Sequence, residues 1–286
     1  MPDQSLAALL RAAAERLAAA GVPDPVVDAE LLAGHVLGLT RGAVQAAVVR
    51  GDAIDDRDAS SLRALTERRA GREPLQHITG IAPFRHLELK VGPGVFVPRP
   101  ETETVVQYAI DALASASEPE PIGIDLGTGS GAIALAMATE VPHACIYATE
   151  LSPEAFTWAA RNTAGVANLT LVNEDLRTAF GDLAGTASVV VSNPPYVPDA
   201  AVPRDPEVRL FDPAMALYGG EDGLDIVRVI SARALELLRP GGMLVLEHGE
   251  LQGEQIRDIL QADGWRAAAT HRDLTARDRA TTALRP

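Results

Sequence analysis

The stretch from Ile122 to Ala132 constrains the fold of this chain more than any other. It is apolar through Ile122-Gly-Ile-Asp125-Leu126, alternates glycine with small polar residues through Gly127-Thr128-Gly129-Ser130-Gly131, then turns apolar at helical spacing. A short apolar run, a glycine-rich turn and a helix in that order open a strand–turn–helix unit of an α/β sheet, with ligands bound beyond the strand's carboxyl end. Glycines let the backbone approach a ligand closely, and the helix start offers free N–H groups.

The same rhythm continues downstream. Expected strands are Ile122–Asp125, Cys145–Thr149, Leu169–Asn173, Ser188–Ser192, Met243–Glu247, Ala267–His271 and a short Thr281–Leu284. Helical patterns at 132–140, 153–163, 224–238 and 254–262 lie between them. That alternation predicts a parallel, doubly wound sheet.

Upstream the pattern is different. With 286 residues there is room for two domains. Residues 3 to about 72 read as helical: Leu6, Leu9, Leu10, Ala13 and Leu17 recur on one face. Asp24-Pro25 reads as an N-cap followed by proline at the first helical position, Gly38 as a stop, and Thr40 and Asp55 or Asp56 as further caps, with Gly71 closing the last helix. From Phe84 the period becomes two, and Leu87, Leu89 and Val91 predict a strand that turns at Gly92-Pro93-Gly94 and returns through Val95-Phe96-Val97. The expected division is a helical domain over 1–75, a linker with a hairpin over 76–98, and an α/β domain over 99–286.

A net charge of −14 opposes a tight, non-specific hold on phosphate backbones. Arg63, Arg68, Arg69 and Arg72 lie close in sequence and are expected on a solvated helix face. Cys145 is the only cysteine, expected to be a small core residue, and the six histidines are scattered, so no metal site is expected. Neither a signal peptide nor a membrane span is read, and a cytoplasmic protein is expected.

The glycine loop leaves two cofactors open. Gly127, Gly129 and Ala132 also fit the dinucleotide pattern, and Glu150 after the second strand suits ribose hydroxyls in either case. Asp125, able to accept from an ammonium group, and the acidic corner Glu174-Asp175, where Asp175 can take an adenine amino group, lean towards S-adenosylmethionine.

The tetrapeptide Asn193-Pro194-Pro195-Tyr196, following the fourth strand, narrows the chemistry. Two prolines fix φ and hold the residue before each extended, so the carbonyls point in set directions. The Asn193 side-chain oxygen and the Pro194 carbonyl are two acceptors for the N–H bonds of a planar NH2 group, and Tyr196 can stack on it. Such preorganised dipoles stabilise the charge that develops on an attacked nitrogen. Adenine and carboxamide substrates both satisfy this device.

With these residues in view, the chain resembles the protein-(glutamine-N5) methyltransferases of the HemK/PrmC type. The resemblance rests on Pro74-Leu-Gln-His-Ile-Thr-Gly80, Pro98-Arg-Pro-Glu-Thr-Glu103, Asp125–Gly131, Asn193–Tyr196 and Gly219-Gly-Glu-Asp-Gly-Leu-Asp225, and it spans essentially the whole chain. It implies a Rossmann-like α/β fold with the seven-stranded class I methyltransferase sheet, behind a helical domain that binds release factors. By the same resemblance, S-adenosylmethionine would be held by Asp125, Gly127, Thr128, Gly129, Ser130, Gly131, Glu150, Asp175, Leu176 and Asn193, and leave as S-adenosylhomocysteine. A release factor's Gly-Gly-Gln glutamine would sit on Asn193, Pro194, Pro195 and Tyr196, with Phe96, Arg99 and Glu101 lining the pocket. Asn193, Pro194 and Tyr196 would be the catalytic set. The family more often has Asp where Glu150 stands, and some relatives carry an aromatic ring at the position of Leu176. A monomer without nucleic-acid or membrane partners is expected. An adenine-N6 nucleic-acid methyltransferase, an NAD-dependent oxidoreductase and a non-catalytic release-factor binder are the competing readings.

Overall fold

The structure, a computed structural model, describes residues 5–286. It divides into two compact units, one running up to Ile81 and including Arg204–Phe211, the other comprising Ala82–Pro203 and Asp212–Pro286.

The first unit is helical: α1 (Leu6–Ala19), α2 (Pro25–Leu37), α3 (Arg41–Arg50), α4 (Asp56–Ala70) and the short α5 (Leu75–Thr79). Ser5, Thr40 and Asp55 each accept a backbone N–H at a helix start, and Gly38 ends α2 in the left-handed region. Asp24 makes no side-chain cap bond, so α2 starts on the fixed φ of Pro25 alone. Leu6, Leu9, Leu17, Leu32, Val44 and Leu62 form its core. The arginine-rich face of α4 is only partly solvated. Arg69 is 6% exposed and bridges Asp28 at 2.7 Å and Glu207 at 2.8 Å, while Arg72 meets the other Glu207 oxygen at 2.5 Å. Glu207 lies on α9 (Pro206–Phe211), which explains why that helix packs with this unit.

In the second unit the hairpin is displaced from the expected one. β1 (Ile81–Phe84) pairs with β2 (Leu87–Lys90) across Arg85-His86, and residues 95–97 form no strand. Arg85 takes the turn's positive φ of 56°, with its N–H bonded to Glu103 and its guanidinium to Glu140. Gly92 serves another purpose: a Cβ there would stand 2.5 Å from the Trp158 ring.

The remaining elements are α6 (Pro100–Ala114), β3 (Ile122–Leu126), α7 (Ala132–Glu140), β4 (Cys145–Thr149), α8 (Pro153–Asn162), β5 (Leu169–Val172), β6 (Ala187–Ser192), then α10 (Ala214–Leu217), α11 (Asp225–Leu237), β7 (Leu238–Glu247), α12 (Gly253–Ala262), β8 (Arg266–Arg272) and β9 (Asp278–Leu284). They form a seven-stranded sheet in the order β5-β4-β3-β6-β7-β9-β8. The expected parallel pairing holds from β5 through β7, whereas β9 runs antiparallel to both β7 and β8. A turn as short as 273–277 can join only antiparallel neighbours, which a β–α–β crossover cannot do. Cys145, expected in the core, is half-buried at the start of β4.

Every residue of β6 is buried, as an inner strand covered on both faces requires. Val189 and Val191 face the core beneath α6 and α7; Val190 faces the one beneath α11 and α12. Chain order reverses between β3 and β6, making the crevice beyond their carboxyl ends the switch point where such sheets bind ligands.

Candidate functional site

The two motifs singled out in the sequence meet at this switch point. β3 pairs with β6 in parallel, Asp125 opposite Val191, so the glycine loop and the tetrapeptide leave the sheet side by side. Ser192 ties them together, its hydroxyl donating to the Leu126 carbonyl at 2.6 Å.

Asp125 braces the loop from beneath. It is fully buried, and its Oδ2 accepts from the Thr128 hydroxyl at 2.6 Å and the Ala134 N–H at 3.1 Å. Oδ1 has no protein partner and is what remains for a ligand's donor. Burial pushes this carboxyl up to about 7, against the pull of the Thr128 and Ala134 bonds and with some repulsion from Glu150. Gly127 and Gly129 have positive φ, and a Cβ on either would point into open space. Gly131 also has positive φ and starts α7 against Ala159 and Thr163. Ser130 is buried, and its carbonyl accepts from Asn162.

Glu150 closes the side of this cradle, its two oxygens accepting from the N–H groups of Gly129 and Ser152 at 2.8 Å each. The second lone pairs of both oxygens remain for hydroxyl donors. Asp175 is turned to Arg177, which bonds it through backbone and guanidinium at 2.9 Å. Leu176 packs partly against the core beneath α11. An open glycine cradle, an orphaned buried acceptor below it and a carboxylate at its lip fit a ligand with a cationic amino group and a ribose.

The tetrapeptide is supported from behind by the glycine-rich segment 219–223. A Cβ on Gly219 would lie 2.4 Å from the Pro195 carbonyl oxygen, and one on Gly223 2.3 Å from that of Tyr196. Val197 bonds Leu217 and Gly219 through the backbone, and Gln252 donates to the Tyr196 carbonyl at 2.9 Å. These contacts set the direction of the tetrapeptide's carbonyls. The Tyr196 hydroxyl is pushed up to about 12, first by burial and then by Glu247, so it stays neutral.

Phe96 and Arg99 form a stacked pair, the guanidinium 4.8 Å from the ring centre, and Arg99 bonds the buried Asp212 at 2.6 Å. Burial pushes Asp212 up to about 6 despite Arg99. The charges of Glu247 and Glu101 raise the Tyr196 hydroxyl further, and those of Arg279 and Arg99 lower it.

Glu247 and Arg279 were not among the residues expected at the site. Glu247 ends β7 beside Asn193; burial pushes it up to about 7, against hydrogen bonds from Thr102 and Asn193 and the charge of Arg279. The signal was an acid closing an apolar strand, as Asp125 nearly does in β3.

Three raised carboxyls give the ligand-free protein a definite pH dependence. Asp125, Glu247 and Asp212 hold protons in the fold that the unfolded chain releases near pH 4, so stability falls as pH rises from about 4 to about 7 and levels off above. Glu207, Asp222 and Asp273, held low, oppose acid below that window. His248 and His271, held below the usual imidazole range by burial, oppose it within the window but are outnumbered by the three carboxyls. Thermal unfolding is expected at a higher temperature at pH 5.5 than at pH 7.5, and the reverse order would refute these assignments.

The sequence pattern of the PrmC N-terminal domain matches residues 8–80, and that of the methyltransferase small domain matches 87–221. The chain is 50% identical to a release factor glutamine methyltransferase of Streptomyces coelicolor, over 95% of both chains. It is 43% identical to one of Bifidobacterium longum, over 95% of this chain and 96% of that one. Among solved structures, a methyltransferase from Pyrococcus furiosus matches 70% of this chain and 89% of its own with a TM-score of 0.50 at 21% identity, a likeness of fold. With two motifs at one switch point and relatives matched along nearly their whole length, the chain belongs to the release factor glutamine methyltransferases.

Proposed function

We propose that this protein transfers a methyl group from S-adenosylmethionine to the side-chain amide nitrogen, N5, of the glutamine in the Gly-Gly-Gln motif of peptide chain release factors. The observation that carries the reading is the stiff acceptor pair at the end of β6, held beside an open glycine cradle at the end of β3. The names of the relatives supply the release factor as partner.

Gly127–Gly131, Asp125 Oδ1 and Glu150 are the groups that would hold the cofactor, with Asp175 and Leu176 at its adenine end and Asn193 towards the methyl. When bound, the cofactor supplies an electrophilic sulfonium methyl. Everything else falls to the chain. Asn193 Oδ1 and the Pro194 carbonyl accept the two N–H bonds of the glutamine amide and leave its third direction facing the methyl. An amide nitrogen is a weak nucleophile, and these dipoles favour the positive charge it gains as the N–C bond forms and the S–C bond breaks. The products are the N-methyl amide, the thioether S-adenosylhomocysteine and one proton, which leaves nitrogen after attack. Tyr196, neutral throughout, stacks on the amide plane with Phe96, Arg99 and Glu101 around it. The reading is of a single cytoplasmic chain acting on a protein.

The test is transfer of labelled methyl to a purified release factor, with the site mapped by mass spectrometry. Label on the Gly-Gly-Gln glutamine is expected. An unlabelled release factor alongside labelled adenine in nucleic acid would overturn the reading.

A further inference from the structure

An asparagine amide offers an acceptor on one side and a donor on the other, and its neighbours decide which faces out. Asn193 is met from behind by two elements besides its own. Its Nδ2 donates to the Thr102 hydroxyl at 3.4 Å, from the first turn of α6. Glu247 follows Leu246, the β7 partner of Ser192, which sets it across from Asn193 at the end of the β6–β7 ladder, and Thr102 and Asn193 both favour its charged form. Glu247 is 2% exposed, and its Oε2 has no partner. An ionised carboxylate only accepts, and a threonine hydroxyl that accepts from Asn193 has one proton to give. Both conditions draw Nδ2 inward and turn Oδ1 towards the substrate side.

We infer that Glu247 is a positioning residue for methyl transfer, fixing the Asn193 amide so that its oxygen, and not its NH2, meets the substrate amide. The inference rests on the role given above to Asn193. Protonated Glu247 becomes a donor, able to address Asn193 Oδ1, and the constraint is lost. The groups facing Glu247 are Arg279 from β9, which favours its charge, Glu101 from α6, which opposes it, and Tyr196, which is neutral. Burial outweighs Arg279, so the change of state falls near neutral pH.

The test uses Glu247→Gln, of equal size but able to donate as well as accept, with Glu247→Asp as the conservative variant. In Glu247→Gln, kcat is expected to fall by about tenfold to a hundredfold, the scale of a misaligned group, with cofactor affinity unchanged. Wild-type kcat should rise with pH through a midpoint near 7, and that limb should vanish in Glu247→Gln and return in part in Glu247→Asp. Independently of turnover, the Asn193 side-chain NH2 resonances should shift with the same midpoint in the wild type and stay still in Glu247→Gln. Resonances that ignore pH in the wild type, or a Glu247→Gln enzyme with the wild-type rate and profile, would overturn the proposal. The resonance measurement reports on the Glu247–Asn193 pair alone, so full activity in Asn193→Ala would sink the reading of Asn193 without deciding this coupling. If Glu247→Gln fails to fold, the wild-type titration and Glu247→Asp still decide.

Discussion

Asn193→Ala is expected to lower turnover by about 10²–10³-fold, the usual cost of removing one preorganised dipole from a reacting centre. The substitution deletes the side-chain acceptor proposed to meet the substrate nitrogen, while Pro194 and Pro195 keep the backbone extended. It also removes a donor to Thr102 and Glu247, so some loss of stability accompanies it. The glycine cradle is built from β3, β4 and α7, and it is untouched. Cofactor affinity should therefore hold while the single-turnover rate collapses. Should affinity fall in proportion to rate, Asn193 is a cofactor ligand first; a wild-type rate would remove it from the mechanism.

Gly219→Val is expected to cost about a hundredfold without touching any reacting group. Its Cβ would lie 2.4 Å from the Pro195 carbonyl oxygen and 2.6 Å from that of Gly223. Both obstacles are backbone, so neither can swing aside as a side chain would. The tetrapeptide must move, and a misplacement of about 1 Å costs about 10²-fold. Gly42→Ala, on α3 with open space where its Cβ would go, is the control and should leave the rate unchanged. A rate near the wild type in Gly219→Val, with the variant folded, would show that the tetrapeptide needs no such support.

The parts of the fold read correctly from sequence were those governed by local rules. The caps at Thr40 and Asp55, the left-handed Gly38, and the strands at 122–126, 145–149 and 187–192 follow from neighbours a few residues away. The hairpin was misread because Gly92-Pro93-Gly94 looks like a turn. In the fold, Gly92 makes room for Trp158 on α8, while Arg85 closes the actual turn at a positive φ, held by Glu103, Gln107 and Glu140. The direction of β9 depends on pairing with β7 and β8, which no periodicity reveals. The glycine loop and the tetrapeptide were legible because both carry unusual backbone chemistry at strand ends. Glu247 and Arg279 were not: in sequence each is an ordinary charge, and only the sheet order sets them beside Asn193 and Tyr196. Arg69 and Arg72 were read as solvated because their partner, Glu207, lies 138 and 135 residues away.

That separation has a bearing on how the protein is made. A chain leaves the ribosome from its N-terminus, and domains generally fold in that order. Here the first unit to emerge lacks its last piece until α9 has been synthesised, long after α4. During that interval Arg69 keeps Asp28 as a partner, but Arg72 waits without its carboxylate. The nascent helical unit therefore passes through a stage in which a cationic notch stands open, and it closes only after the strands β3 to β6 and the tetrapeptide have been made.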